Sequence, residues 1–190
     1  MPAAVRAFCK FGAWHDIKVE DDVTAYMTFA NGASGLFVTS TGEPYGENRL
    51  EIMGTHGKLL LADGVLTHTR FDCNERTFCR TCPTGFGMPQ KTVREVLRQT
   101  DGFDRHTEIL RNFTAAVRGE ESLLVRGEEG IHGVRLLNAM LLSAWTNEEV
   151  GIPFDERQYA RLLTERAARS KQKTAAADEI EDNTCSFGGF

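Results

Sequence analysis

The loop Gly42–Asn48 carries polar and aromatic side chains that could bind a small molecule. It separates two strand-like runs, Ala33–Thr41 and Arg49–Met53, and has turn-forming residues at both ends. Loops held by a rigid scaffold often carry binding residues, because their side chains are not needed for the core. The sequence therefore predicts that function resides in this loop.

Cysteines are the second chemically capable group. Cys79 and Cys82 have the spacing of half a zinc site, with Cys73 close by in the sequence. A second Cys pair or a His pair with metal-ligand spacing is missing, so ordinary thiols are favoured over zinc. A thioredoxin-type redox motif would need a βαβ setting, which the pattern does not predict. We therefore expect no metal site.

Two other clusters could do chemistry but are better explained structurally. The run Glu20-Asp21-Asp22 could attract a cation, yet short charge runs usually form solvated turns, which is our expectation here. His15 and Asp16 resemble a base with its orienting acid, but neighbours on an extended segment point apart. The sequence consequently predicts no catalytic residue in either cluster.

A β-hairpin is predicted for the elements that position the loop. The runs Val23–Ala30 and Ala33–Thr41 flank Asn31-Gly32, a dipeptide that suits a type I′ turn. Apolar residues occur on both faces of the hairpin, whereas a sheet open to water on one side should alternate with polar residues. Something is therefore expected to cover both faces.

The remaining pattern predicts strands first and helices afterward. Strands are predicted at Ala3–Gly12, Lys58–Ala62, Val65–Phe71 and Glu75–Arg80, with Asp63-Gly64 as a second hairpin turn. Thr92–Gln99 is ambiguous and could be a short helix. Helices are predicted at Asp104–Arg118, at Glu129–Trp145 and after Asp155, which is a good N-cap.

This order predicts an α+β fold: one large, mostly antiparallel sheet with helices on one face and the other face used for oligomerisation. A sheet closed into a barrel is the alternative. The predicted domain covers residues 3–166. Residues 167–190 are polar and small, and we expect them to form a mobile tail.

Composition is that of an ordinary soluble domain, with 190 residues, 41% hydrophobic residues and 26% charged residues. The net charge of -5 and the lack of a dense basic cluster argue against nucleic acid. No apolar run is long enough for a membrane span, and Arg6 and Lys10 interrupt any signal-peptide core. We therefore expect a cytoplasmic protein without a membrane or nucleic-acid partner.

Three segments carry a family resemblance. They are VEDDVTAYMTFANGASGLFVTST, RLEIMGTHGKL, and HTEILRNFTAAVRGEESLLVRGEEGIHGVRLLNAMLLSAW followed by GIPFD. Together they resemble the C-terminal domain of the glucose-fructose oxidoreductase, inositol dehydrogenase and rhizopine-catabolism (Gfo/Idh/MocA) family, from about Val5 to Leu163. The resemblance implies an NAD(P)-dependent oxidoreductase acting on a sugar, cyclitol or related polyol.

The departures from the family concern its cofactor half. We expect the Rossmann domain to be absent from this chain, because the sequence contains no GxGxxG loop, no Glu-Lys-Pro segment with the catalytic lysine, and no Asp-x-x-x-His segment. A dinucleotide needs those glycines for close approach of its pyrophosphate. We expect the isolated chain to bind no NAD or NADP strongly and to be inactive, with no catalytic or cofactor-binding residue of its own.

The resemblance also implies which residues contact substrate. Carried onto this sequence, they are Thr41, Glu43, Tyr45, Asn48 and Arg49. Their hydroxyl, carboxylate, amide and guanidinium groups suit vicinal hydroxyls or a carboxylate. The competing interpretation is local: Arg49 pairs with Glu47 or Glu51, and Tyr45 caps the sheet edge. For the whole chain, the alternative function is a non-catalytic dimerisation or small-molecule-binding module.

Overall fold

The structure is a computed structural model that describes residues 1–98 and 105–170. Its strands are β1 Ala4–Phe11, β2 Glu20–Thr28, β3 Ser34–Ser40, β4 Arg49–Gly54, β5 Gly57–Ala62, β6 Val65–Phe71, β7 Lys91–Arg98 and β8 Val150–Gly151. Its helices are α1 Glu75–Thr81, α2 Arg105–Val117, α3 Gly130–Thr146 and α4 Glu156–Arg169. The α+β class predicted from the sequence is confirmed.

The strands form two sheets rather than the single large sheet that was predicted. One has the order β3-β2-β1-β8 and the other β4-β5-β6-β7, and all pairs are antiparallel. Among the described strands neither order closes on itself, so the barrel alternative is wrong. The two sheets fall in separate compact units: the first contains Met1–Pro44 and the described residues from Ala116 onward, and the second contains Tyr45–Ala115.

Every second side chain along β1 and β2 points into the core of the first unit. Val5, Ala7 and Ala25 are buried on one face of the sheet, and Ala139 and Leu142 of α3 are buried with them. Small residues in the strands allow a helix to approach closely, which gives the dense packing that a core requires. One face of this sheet is therefore covered by the chain itself, as the sequence predicted.

Ser143 of α3 forms a hydrogen bond with the edge of β1. β8 pairs only with Ala4 and Val5, so the sheet partner on this side ends there. The backbone N–H of Ala7 donates instead to Ser143 Oγ at 3.0 Å, and that hydroxyl donates to the carbonyl of Glu148. A buried N–H without an acceptor would cost free energy, so the serine replaces the missing strand.

Helix α4 packs through aromatic side chains. Asp155 caps α4 by accepting from the N–H of Arg157, as expected for an N-cap. Phe154 meets Tyr159 edge-on with ring centroids 6.2 Å apart, and Tyr159 stacks on Trp145 at 5.4 Å. Helix α4 continues to Arg169, past the predicted boundary at 166. The predicted tail from 171 to 190 lies outside the described residues.

Two predicted elements have the opposite type. Glu75–Arg80, predicted as a strand, forms α1, because Asn74 caps it by accepting from the N–H of Thr77. Thr92–Gln99, considered as a helix, instead forms most of β7, which pairs with β6; Gln99 itself lies outside the described residues. β-Branched Thr92 and Val93 suit a strand once a neighbouring edge is present.

The two hairpin turns differ in type. Asp63 and Gly64 both have positive φ, at 48° and 69°, which gives a type I′ turn, and the predicted hairpin is confirmed. At Asn31-Gly32 only the glycine has positive φ, so the type I′ prediction there is wrong. The Gly32 N–H bonds the carbonyl of Phe29, which gives a three-residue loop with glycine in the left-handed position.

Candidate functional site

The acidic run predicted as a solvated turn belongs to β2, and its central carboxylate is buried. Asp21 is 3% exposed and accepts from the backbone N–H groups of Ala13 at 3.1 Å, Trp14 at 2.8 Å and His15 at 3.1 Å. Burial raises the pKa of Asp21, but these three donors and His15 together hold it below its ordinary value. The carboxylate therefore anchors the segment after β1.

Asp21 also fixes the residue that begins the candidate loop. Its carbonyl accepts from the Thr41 N–H at 3.0 Å and from the Thr41 hydroxyl at 3.3 Å. The same hydroxyl lies 3.3 Å from His15 Nδ1, which is 3.7 Å from Asp21 Oδ2. Thr41, the first of the predicted site residues, thus contacts a histidine for which the sequence predicted no catalytic role.

This grouping is not a nucleophilic triad. In such a relay the acid and the nucleophile use opposite nitrogens of the imidazole. Here both Asp21 and Thr41 approach Nδ1 of His15. The arrangement can orient a polar ligand through a hydroxyl and an imidazole, but it does not activate Thr41.

Trp14 forms an aromatic surface beside the same group. Its ring is half exposed and packs on Gly42, where an added Cβ would lie 2.3 Å from the ring. Lys10 Nζ lies 5.6 Å from the ring centroid, and Trp14 Nε1 donates to Asp22 Oδ2 at 3.4 Å. Sequence reasoning missed Trp14; the signal available was a glycine at the start of the loop, which permits close approach of a large ring.

A cavity of about 230 Å³ opens next to Asp21 within the first unit. Its wall is largely apolar, with Phe37, Leu137 and Met140, and its polar lining includes Glu20 and Cys9. Burial, then Glu20, then Asp22 raise the pKa of Cys9 to about 11, so its thiol stays protonated at neutral pH. The cavity offers apolar contact and no reactive nucleophile.

The other predicted site residues are all exposed. Glu43 belongs to the first unit, whereas Tyr45, Asn48 and Arg49 belong to the second. Tyr45 is fully exposed and has a positive φ of 63°, so it does not cap a sheet edge. A bulky residue in this conformation carries strain, which a binding role would explain.

Arg49 has the local partner that the competing interpretation named. Its Nη2 lies 2.6 Å from Glu51 Oε2, and Lys58 Nζ lies 3.4 Å from the same oxygen. The hydrogen bond from Arg49 lowers the pKa of Glu51, with a smaller contribution from Lys58. Exposed pairs of this kind contribute little to stability, so Arg49 can exchange Glu51 for a ligand at small cost.

Comparison with known proteins supports the resemblance noted in the sequence. The model of the GFO/IDH/MocA C-terminal domain matches residues 1–60, which span β1 to β4 and include Trp14, His15 and the candidate loop. The resemblance to the C-terminal domain of this oxidoreductase family is therefore confirmed. The comparison with curated proteins found no match.

Solved structures share the fold. The WlbA dehydrogenase from Chromobacterium violaceum, in complex with NADH and UDP-GlcNAcA, is 24% identical with a TM-score of 0.58, and the match covers 81% of this chain and 41% of that one. Levoglucosan dehydrogenase with NADH and L-sorbose is 18% identical with a TM-score of 0.58, covering 80% of this chain and 45% of that one. An oxidoreductase from Thermotoga maritima is 19% identical with a TM-score of 0.58, and the match covers 80% of this chain and 41% of that one.

The chain thus spans less than half the length of the structures it matches. Among the described residues, none of the helices combines the length and apolar character needed to cross a bilayer.

Proposed function

We propose that this chain is the substrate-side and oligomerisation domain of an NAD(P)-dependent oxidoreductase that acts on a sugar, cyclitol or related polyol. The observation that carries the proposal is the family-model match over residues 1–60, in a chain whose fold agrees with dehydrogenase structures over about four fifths of its length. Two of those structures contain NADH with a sugar or sugar nucleotide.

In this proposal the cofactor and the residues of this chain have different roles. A nicotinamide cofactor would supply or accept the hydride. Residues of this chain bind and orient the hydroxyl groups of the substrate: Thr41, Glu43, Tyr45, Asn48 and Arg49. A site built to hydrogen-bond hydroxyls rejects compounds that lack them, because its polar groups are then left unpaired.

The local geometry of the loop supports this role. Thr41 presents its hydroxyl beside His15, and Trp14 offers an exposed ring face in the same unit. Tyr45 and Arg49 are accessible, and Arg49 is held only by an exposed ion pair. None of these residues is required by the buried core. We propose Trp14 and His15 as additions to the predicted substrate contacts.

Oligomerisation is proposed from two exposed apolar surfaces. The Leu36 face lies on the helix-free side of the first sheet and consists of Phe8, Tyr26, Leu36 and Val38, which are 51–69% exposed. The Leu50 face lies on the second sheet and consists of Leu50, Ile52, Leu59 and Leu61, which are 37–58% exposed. Apolar patches of this kind mark interaction sites, and a second copy of the chain is the proposed partner.

The test is to restore the cofactor domain. The chain is fused behind the Rossmann domain of a family member, and NADH or NADPH formation is followed with hexoses, uronic acids and cyclitols. We expect saturable turnover with at least one of them. A folded fusion that binds NAD, turns over none of these compounds, and yet binds one of them in calorimetry would favour the alternative, a non-catalytic binding module.

Substrate contacts are tested in the same fusion. Arg49→Ala is expected to raise KM by about tenfold, the loss of one charge-assisted hydrogen bond. Arg70→Ala, at an exposed arginine of β6, is the matched control and should leave KM unchanged. Equal effects of the two substitutions would remove Arg49 from the site.

A further inference from the structure

The outer edge of β3 is open to another strand. β3 lies at one edge of the first sheet, and among the described residues it pairs only with β2. Its residues, Ser34–Ser40, include no charged residue and no proline, and its register with β2 runs without a bulge. Proteins usually protect an exposed edge with lysine, proline, a bulge or a covering segment. The edge of β3 lacks the first three, so it is suited to receive a strand.

The hydrogen bonds at the two ends of β3 show which of its backbone groups point outward. The N–H of Thr41 donates to the Asp21 carbonyl at 3.0 Å, and the N–H of Phe29 donates to the Ala33 carbonyl at 3.0 Å. In an antiparallel pair, residues that bond the neighbouring strand alternate with residues that face away from it. The odd-numbered residues of β3 therefore bond β2, and the even-numbered ones point their N–H and C=O groups outward. The outward-pointing residues are Ser34, Leu36, Val38 and Ser40.

The sequence of β3 matches itself when it is read in reverse about Phe37. Leu36 and Val38, which flank Phe37, are both apolar, and the end residues Ser34 and Ser40 are identical. Two antiparallel copies centred on Phe37 would set apolar residues opposite each other and serine opposite serine. These are the residues with outward backbone groups, so each facing pair can exchange two hydrogen bonds. The neighbouring registers, centred on Leu36 or Val38, would instead set a serine opposite an apolar residue.

We propose that two copies of this chain pair edge to edge through β3, antiparallel about a two-fold axis at Phe37. Leu36 of one copy then bonds Val38 of the second copy through the backbone, and the two four-stranded sheets join into one continuous sheet. This proposal rests on the oligomerisation proposed above and names a contact for it. It uses backbone groups at a strand edge, whereas docking through the Leu36 face would use side chains on the surface of the sheet.

The side chains of β3 fit this pairing on both sides of the sheet. Leu36 and Val38 are 69% and 58% exposed on the helix-free side, so pairing joins the Leu36 faces of two copies into one apolar surface. Phe37 points to the other side, where it lines the cavity with Leu137 of α3. At the axis it faces Phe37 of the second copy in a non-hydrogen-bonded pair, which brings the two side chains close together. Aromatic pairs across strands stabilise a sheet.

A cysteine placed at the axis tests the pairing and its register. The Cα atoms of a non-hydrogen-bonded antiparallel pair are about 4.5 Å apart, within the range of about 4.4 to 6.8 Å that a disulfide spans. The full chain with Phe37→Cys is therefore expected to form a covalent dimer, linked through position 37 of both copies, when it is treated with oxidised glutathione. Mass spectrometry of peptides distinguishes this link from any link between the native cysteines.

Thr39→Cys is the matched control, because Thr39 is exposed on the same side of β3 as Phe37. In the proposed register Thr39 faces Gly35 of the second copy, so two cysteines at position 39 would lie more than about 13 Å apart and should not link. Equal linkage in the two variants would overturn the pairing. No link at position 37, in a chain that still self-associates in sedimentation, would overturn the edge contact and leave the oligomerisation proposal standing. A wild-type chain that stays monomeric would overturn both.

A proline tests the backbone hydrogen bonds by a different readout. Val38→Pro removes an N–H that points away from β2, so the pairing within the chain is kept. It should weaken self-association at least about tenfold more than Val38→Ala, which shortens the side chain but keeps the N–H. Sedimentation velocity over a concentration series measures both variants, and circular dichroism checks that both are folded. Equal weakening would show that side chains rather than backbone groups form the contact, and would overturn the edge pairing.

Discussion

The two sheets have similar apolar patterns but very different packing. In the first unit, alternate residues of β1 and β2 are buried against α3, with Val5 only 1% exposed. In the second unit, no described side chain of β4 to β7 is buried, and Leu50 and Ile52 remain more than half exposed. Alternation thus predicts which residues share a face, but a covering element decides whether that face is a core or an interface.

The sharpest test compares one leucine from each region. Leu142→Ala removes a side chain that is 2% exposed and should cost about 2 to 5 kcal/mol of unfolding free energy. Leu50→Ala removes one that is 58% exposed and should cost less than about 1 kcal/mol in dilute, monomeric protein. Urea unfolding measures both. Equal costs would show that the Leu50 face is buried in solution.

Charge placed on the exposed faces tests whether they meet a second copy. Leu36→Lys and, separately, Leu50→Lys should weaken self-association by at least about tenfold, because a lysine would be desolvated at an apolar contact. Sedimentation velocity over a concentration series measures the effect. Thr164→Lys, at an exposed position of α4, which carries neither face, is the control. A wild-type chain that remains monomeric at high concentration would end the oligomer proposal.

Asp21, in the first unit, makes the stability of the protein depend on pH. Its folded pKa lies below the ordinary value of 3.8, so its stabilisation is present above that value and is lost as pH falls through the folded pKa. Asp21→Asn places an amide donor among backbone donors and should lower the Tm at neutral pH and flatten the acid dependence of the Tm. Asp22→Asn, whose parent carboxylate pairs with Lys10, should change the Tm little. Parallel acid profiles for wild type and Asp21→Asn would contradict this role.

The smallest expected effects come from two glycines with open surroundings. Gly32→Ala forces a side chain into a φ of 81° and should cost about 1 kcal/mol. Gly133→Ala, inside α3 with nothing near an added Cβ, should stabilise the protein by up to about 1 kcal/mol. Thermal unfolding measures the change in Tm for each variant. A change in Tm of the same sign in both variants would contradict the assigned backbone conformations.

Local chemistry predicted much of the fold. The Asp63-Gly64 turn, the capped start of α4 and the alternation of β1 depend on neighbouring residues, and sequence reasoning found each of them. β7 was ambiguous because its strand conformation depends on pairing with β6. The helical α1 was missed because its cap, Asn74, outweighed the strand-like pattern that follows.

The candidate site was harder to predict, because its residues come from distant parts of the sequence. Thr41 could be named from its position after a strand, and the family resemblance pointed to its loop. Its partner His15 lies 26 residues away in sequence, and the buried Asp21 that holds both looked like one of three solvated carboxylates. Contacts between distant segments leave no local signal, so they required the structure.

The link between Ser143 and the Ala7 N–H has a consequence for how copies of this chain can meet. An uncovered strand edge invites another chain to add a strand, which is a common route to misassembly. Here the short β8 and one hydroxyl occupy the edge of β1 from Ala4 to Ala7. The backbone groups of this part of the edge are already bonded, so a second copy reaching it would have to dock through side chains rather than add a strand.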